Sequence, residues 1–192
     1  MGSAVVMPGN VERVTATLLL ATPRLRLVPV NGTTARADQA GREHLSIALD
    51  SDLADDWPPT LWADDLPILV EVLATMRDDD GWRPWYWLLR QADGSLRLIG
   101  VGGFSGPPDD QGVVTLGFSV VPSLWRRGYA SEAVAALVEW ASRQADLRVI
   151  EAFTENDNAG PVKVLQNNGF VQLGWGSAPT TLRFELRRPT PA

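Results

Sequence analysis

Apolar and polar positions alternate along Arg24-Leu25-Arg26-Leu27-Val28-Pro29-Val30, the period of a half-buried strand. Residues 33–50 read as one or two short helices. Residues 51–65 hold Pro58-Pro59 and several acids, and predict an irregular loop bearing Trp57 and Trp62. Leu66, Leu69, Val70, Val72 and Leu73 then recur at helical spacing, which predicts a helix over 66–76. Residues 85–89 and 96–104 are rich in strand formers and flank an Asp93-Gly94 turn, so they predict a hairpin. After a surface turn over 105–112, a third strand is expected over 113–121.

The clearest helix spans 128–145, where Ala130, Ala133, Val134, Leu137, Val138 and Ala141 form one apolar stripe. A strand over 147–154 follows. A short helix over 161–168 has Pro161 at its first position and Gly169 as its terminator. Strands over 170–175 and 181–186 close the chain. This order describes a single α/β domain over 22–188, of mixed α+β character, after a loose extension over 1–21.

Composition narrows the chemistry. The 192 residues contain no cysteine and one histidine, which removes disulfides, thiolate chemistry and a multi-histidine metal site; no metal is expected. His44 lies in a polar stretch that reads as an exposed helix turn. The formal net charge of −6 argues against a nucleic-acid partner and suits a cationic acceptor such as an amine. No apolar run is long enough to span a membrane, and the short apolar stretch over 14–21 is interrupted by Thr15 and Thr17. A cytoplasmic protein, monomer or homodimer, is the expectation.

One turn stands out. Strand 113–121 ends at Pro122, and Ser123-Leu124-Trp125-Arg126-Arg127-Gly128 leads into the long helix. A helix N-terminus exposes unpaired N–H groups and a partial positive charge, so it accepts an anion. Gly128 lets a phosphate approach the backbone, Ala130 keeps the next turn open, Arg126 and Arg127 add charge, and Ser131 adds a hydroxyl. A diphosphate is the natural guest. The glycine patterns of nucleoside-triphosphate and dinucleotide loops are both absent.

Trp125 to Ala133 resembles the pyrophosphate loop of the GNAT superfamily of acetyltransferases, Gln/Arg-x-x-Gly-x-Gly/Ala, in the form Trp-Gly/Arg-x-Gly-Tyr-Ala-Thr/Ser-Glu-Ala frequent in the branch that acetylates ribosomal-protein N-termini. Asn158 through Gly169-Phe170 resembles that branch's second motif, with Pro161 replacing a serine. Thr22 to Leu27 is similar to its opening. The resemblance implies a central, mostly antiparallel sheet with a splayed strand pair and flanking helices. It implies acetyl-CoA, or another acyl-CoA, as co-substrate and direct attack by a primary amine, either a protein N-terminus or a small amine.

Mapped through this resemblance, CoA contacts fall on Ser119, Val120, Val121, Arg126, Arg127, Gly128, Tyr129, Ala130, Ser131 and Asn158, with the Ser119 backbone amide as oxyanion donor. Thr115 and Leu165 occupy positions where the family often carries a glutamate and a tyrosine. Glu151, the Ser119 hydroxyl, Tyr86 and acids of the 51–65 loop are the replacement candidates. Trp57, Trp62 and Tyr86 are the candidate acceptor residues; Trp85 and Trp87 read as core, and Trp140 and Trp175 as structural. The missing acid and base keep a non-catalytic acyl-CoA sensor as the alternative.

Overall fold

The computed structural model describes residues 18–73, 81–176 and 178–188. Its strands are β1 (Leu20–Ala21), β2 (Leu25–Pro29), β3 (Asp52–Leu53), β4 (Pro84–Arg90), β5 (Leu96–Phe104), β6 (Val113–Val120), β7 (Val149–Glu155), β8 (Val171–Trp175) and β9 (Thr181–Arg187). The helices are α1 (Gly32–Ala40), α2 (Arg42–Leu49), α3 (Thr60–Leu73), α4 (Tyr129–Ser142) and α5 (Ala159–Asn167). The strands join in the order β1-β2-β4-β5-β6-β7-β9-β8, with β3 beside β5. All pairings are antiparallel except β3–β5 and β6–β7. The β6–β7 pair is parallel because α4 carries the chain back across the sheet.

Alternation along β4 assigns the two faces. Trp85 meets Trp140 of α4 edge to face at 5.9 Å, and Trp82 and Phe104 join the same aromatic group. Tyr86, one residue on, points to the opposite face and packs against Trp57 and Trp62. Trp85, Tyr86 and Trp87 are all fully buried. Gly102 permits the close crossing of β5 and β6, since a Cβ there would sit 2.6 Å from the Phe118 Cβ.

Several expectations change. Leu20–Ala21 pairs with Arg26–Leu27, so the end of the anticipated extension is part of the sheet; residues 1–17 lie outside the described residues. The loop expected over 51–65 contains β3 and the start of α3. The Pro59 carbonyl accepts from the N–H groups of Trp62 and Ala63, so proline opens a helix inside the expected loop. Residues 74–76 of the expected helix lie outside the described residues. Pro161 is the third residue of α5, not the first. Trp175 is 63% exposed and is no core residue. His44 is exposed on α2, as expected.

Candidate active site

β6 and β7 separate part-way along their length. They pair only from Val113 to Thr115 against Val149 to Glu151. Beyond that point β6 continues with β5 to Val120, while β7 follows β9 through all its residues. Each strand stays with its antiparallel partner, and a gap opens between the two halves of the sheet.

Ladder parity fixes which groups face this gap. Ser105 N–H donates to Thr115 O, and Val121 N–H donates to Ile99 O. With an unbroken register between them, Thr115, Gly117, Ser119 and Val121 turn their main-chain groups toward β5. Leu116, Phe118 and Val120 turn theirs toward the gap. The Ser119 and Val121 amides are therefore spent in the ladder, which corrects their mapping as donors into the gap; the gap-facing amides are those of Phe118 and Val120. The Val120 carbonyl is occupied, accepting from the Trp125 indole N–H at 2.6 Å. Trp125 thus pins the following loop to the strand end.

The loop is built for anions. Leu124 N–H and Trp125 N–H close tight turns on Val121 and Pro122. Arg126 and Gly128 then take left-handed conformations, with φ of 60° and 80°. α4 begins immediately after, and its first bond to the loop runs from Glu132 N–H to Gly128 O. Among the described residues, the N–H groups of Gly128, Tyr129, Ala130 and Ser131 have no protein acceptor. These are the four orphan donors of a helix N-terminus, gathered beside the gap. Asn158 caps α5 by position on the far side, with its side chain making no cap bond.

A clamp from the start of the domain holds this turn. The Glu132 carboxylate accepts from the Thr22 hydroxyl at 2.5 Å, the Arg24 N–H at 2.9 Å and Arg24 Nε at 2.6 Å. Arg24 Nη1 donates to the Arg127 carbonyl at 2.9 Å, and its guanidinium lies 4.6 Å from the Tyr129 ring centre. Arg24 thereby offsets an acidic charge that would otherwise repel a phosphate. Desolvation works to raise the Glu132 pKa, but the Thr22 and Arg24 hydrogen bonds outweigh it and hold the carboxyl below its ordinary value. The clamp's stabilisation is accordingly complete above the unfolded carboxylate pKa and is lost as pH falls through the lower folded one. The difference in Tm between the wild type and Glu132→Gln is expected to stay constant from about pH 8 to 5 and to shrink only below about pH 4. A difference that already collapses near neutral pH would mean the carboxylate is not the clamp.

The predicted acceptor residues do come together, but around a residue the sequence did not mark. Asp38 of α1 accepts from Trp57 Nε1 at 3.1 Å, Trp62 Nε1 at 2.6 Å and Tyr86 OH at 2.9 Å. Trp57 and Trp62 are each 5% exposed. They form the inside of a wall rather than an open aromatic cage. Burial, reinforced by the Asp38 charge, pushes the Tyr86 phenol far above its ordinary pKa. Tyr86 keeps its hydroxyl proton and donates it in a hydrogen bond to Asp38, turned into the wall. It nonetheless lies in register with Val101 and Ser119, so this wall continues along one sheet face to the gap.

At the crotch of the gap Thr115, Glu151 and Glu185 stand in one row across β6, β7 and β9. Arg183 bridges Glu151 and Glu185, and Arg187 also holds Glu185. Glu151 is thus correctly placed but engaged by a cation. Leu165 is the buried residue of α5. Asp56, of the predicted acidic loop, accepts from Ser123 N–H and Ser123 Oγ, both at 2.8 Å. These Ser123 bonds hold Asp56 below its usual pKa against the opposing effect of desolvation. The acceptor-side loop is therefore tied to the anion loop. No group of His, Asp or Glu among the described residues could hold a metal ion, and no helix there is long and apolar enough to cross a membrane.

Comparison with known proteins identifies the family and the fold. The family profile described as "Acetyltransferase (GNAT) domain" matches residues 25–171. The chain is 28% identical over 158 residues to "Uncharacterized N-acetyltransferase YjdG" of Bacillus subtilis, covering 80% of this chain and 90% of that protein. The fold is similar to that of the ribosomal L7/L12 alpha-N-protein acetyltransferase RimL in complex with coenzyme A, with a TM-score of 0.63, 15% identity, and 88% and 98% of the two chains covered. A GNAT-family acetyltransferase from Bacillus anthracis gives a TM-score of 0.60 at 16% identity, covering 89% and 99%. At these identities the two structures speak for the fold alone.

Proposed function

Since the chain belongs to the GNAT acetyltransferase family and transfers acetyl from acetyl-CoA to an amine, we propose that the gap between β6 and β7 receives the thioester, with a primary amine reaching it along the Tyr86–Ser119 face. The observation that carries this is the pairing of a free β6 edge with four free N–H groups at the start of α4. The α4 amides take the pyrophosphate, with Arg126 and Arg127 as supporting charge. The Val120 amide pairs with the pantetheine arm, and Asn158 meets it from the α5 side. The Phe118 amide donates to the thioester oxygen.

In the reaction the neutral amine nitrogen attacks the thioester carbon, and the C=O electron pair moves onto oxygen. A fixed N–H aimed at that oxygen stabilises the charge only as it develops. The oxyanion then re-forms C=O as the C–S bond breaks, CoA leaves as thiolate, and the proton of the ammonium nitrogen passes to that thiolate. Holding amine and thioester together supplies much of the rate without a dedicated side-chain base. The acceptor is a primary amine, such as a peptide N-terminus or a small amine, delivered along the Tyr86–Ser119 face.

Thiol release from acetyl-CoA, measured over a panel of N-terminal peptides and polyamines, tests this function. Turnover on at least one primary amine, with acetyl found on nitrogen by mass spectrometry, is the expected result. Tight CoA binding without turnover on any acceptor would instead make the chain an acyl-CoA sensor.

A further inference from the structure

Behind the anion loop, on the side away from β7, lies a second cavity of about 420 Å³. Arg24, Arg90, Arg97 and Arg127 line it, together with Leu124 and Tyr129, and no acidic residue does. Such a cluster is anomalous in a chain of net charge −6. Arg24 is committed to Glu132. The side chains of Arg90, Arg97 and Arg127 make no hydrogen bond or ion pair among the described residues. The nearby turn acid, Asp93, is occupied by the Ser95 N–H and hydroxyl.

Two of these arginines are placed by the hairpin. Arg90 ends β4 and Arg97 stands near the start of β5, opposite Leu89, so the short turn brings both to the same end of the sheet. Arg127 comes from the anion loop itself. Like charges held together without a counter-charge repel one another, and an anion relieves that cost. Arginines that separate elements contribute to one cavity match a compact, multiply charged oxyanion, for which their planar donor forks are suited.

The cavity shares Arg127 and Tyr129 with the turn whose amides face the pyrophosphate, so its guest must be a second anionic group close to a diphosphate. CoA carries one such group, the phosphate monoester on the ribose 3′ oxygen. We propose that this arginine cavity binds the 3′-phosphate of CoA and makes the enzyme discriminate CoA from 3′-dephospho-CoA, a reading that rests on the function proposed above.

Calorimetry with the full chain separates the possibilities. The wild type is expected to bind CoA about tenfold or more tightly than 3′-dephospho-CoA. In Arg90→Ala/Arg97→Ala the preference should largely vanish while affinity for 3′-dephospho-CoA stays the same. Equal affinity of the wild type for both ligands would overturn the 3′-phosphate assignment and leave the acetyltransferase function standing. Inorganic phosphate binding that depends on Arg90 and Arg97 but does not weaken when CoA is bound would also overturn it, by marking a separate anion site. No binding of either CoA form would overturn the function on which the assignment rests.

Discussion

Converting the Phe118 amide to an ester, by installing the α-hydroxy analogue of phenylalanine, should lower kcat about 10²–10³-fold while leaving the affinity for CoA nearly unchanged. Loss of one preorganised oxyanion donor has this order of effect on acyl transfer. The side chain stays in place, so its fit over Gly102 is undisturbed. The Phe118 N–H also takes no part in the ladder to β5, because the register turns it toward the gap. The same exchange at Ser119 is the contrasting case. It removes a bond to β5, costs about 1 kcal/mol of stability, and should leave kcat within a few-fold. If the Ser119 ester abolished turnover and the Phe118 ester did not, the parity assigned to β6 would be wrong.

Gly128→Val should weaken CoA binding about a hundredfold or more. Gly128 has φ of 80°, where a β-branched residue is strained by about 1–3 kcal/mol. A Cβ there would lie in ordinary contact, 3.4 Å, with the flexible end of Arg24, so the backbone strain decides the outcome. Relief of that strain rotates the peptide planes that aim the α4 amides. Losing two charge-assisted hydrogen bonds to a diphosphate is enough for a hundredfold, about 2.7 kcal/mol. Far-UV circular dichroism should remain native, with a lowered Tm from the strained turn. An unchanged Kd for CoA by calorimetry would sink the cradle.

The contrast between Phe118 and Ser119 shows where sequence legibility ends. The stripe of Ala130, Val134, Leu137 and Ala141 determines α4, and Gly128 with its neighbours marks the loop, because both are local patterns. Which of two adjacent amides faces the gap depends on the register between β5 and β6. The alternation of Val114, Leu116, Phe118 and Val120 with Thr115, Gly117 and Ser119 marks the two phases of β6, but which phase bonds to β5 follows only once the strand order and the covered face are known. Asp38 was invisible for a related reason. It looks like any polar residue on a short helix until the fold brings Trp57, Trp62 and Tyr86 to it. The start of α3 was hidden by Pro58-Pro59, whose usual meaning as a breaker is reversed when proline stands just ahead of a helix.

The Thr22–Arg24–Glu132 clamp joins the first strands of the domain to a helix 108 to 110 residues later. The cofactor loop therefore has an owner at the opposite end of the coding order. During synthesis, α4 can form from its own residues soon after it emerges, yet its anion-binding turn is complete only once the opening segment has docked back onto it. Cutting the chain just after Thr22, or forcing a bulky fusion against that threonine, would be felt at CoA before it was felt anywhere near the acceptor.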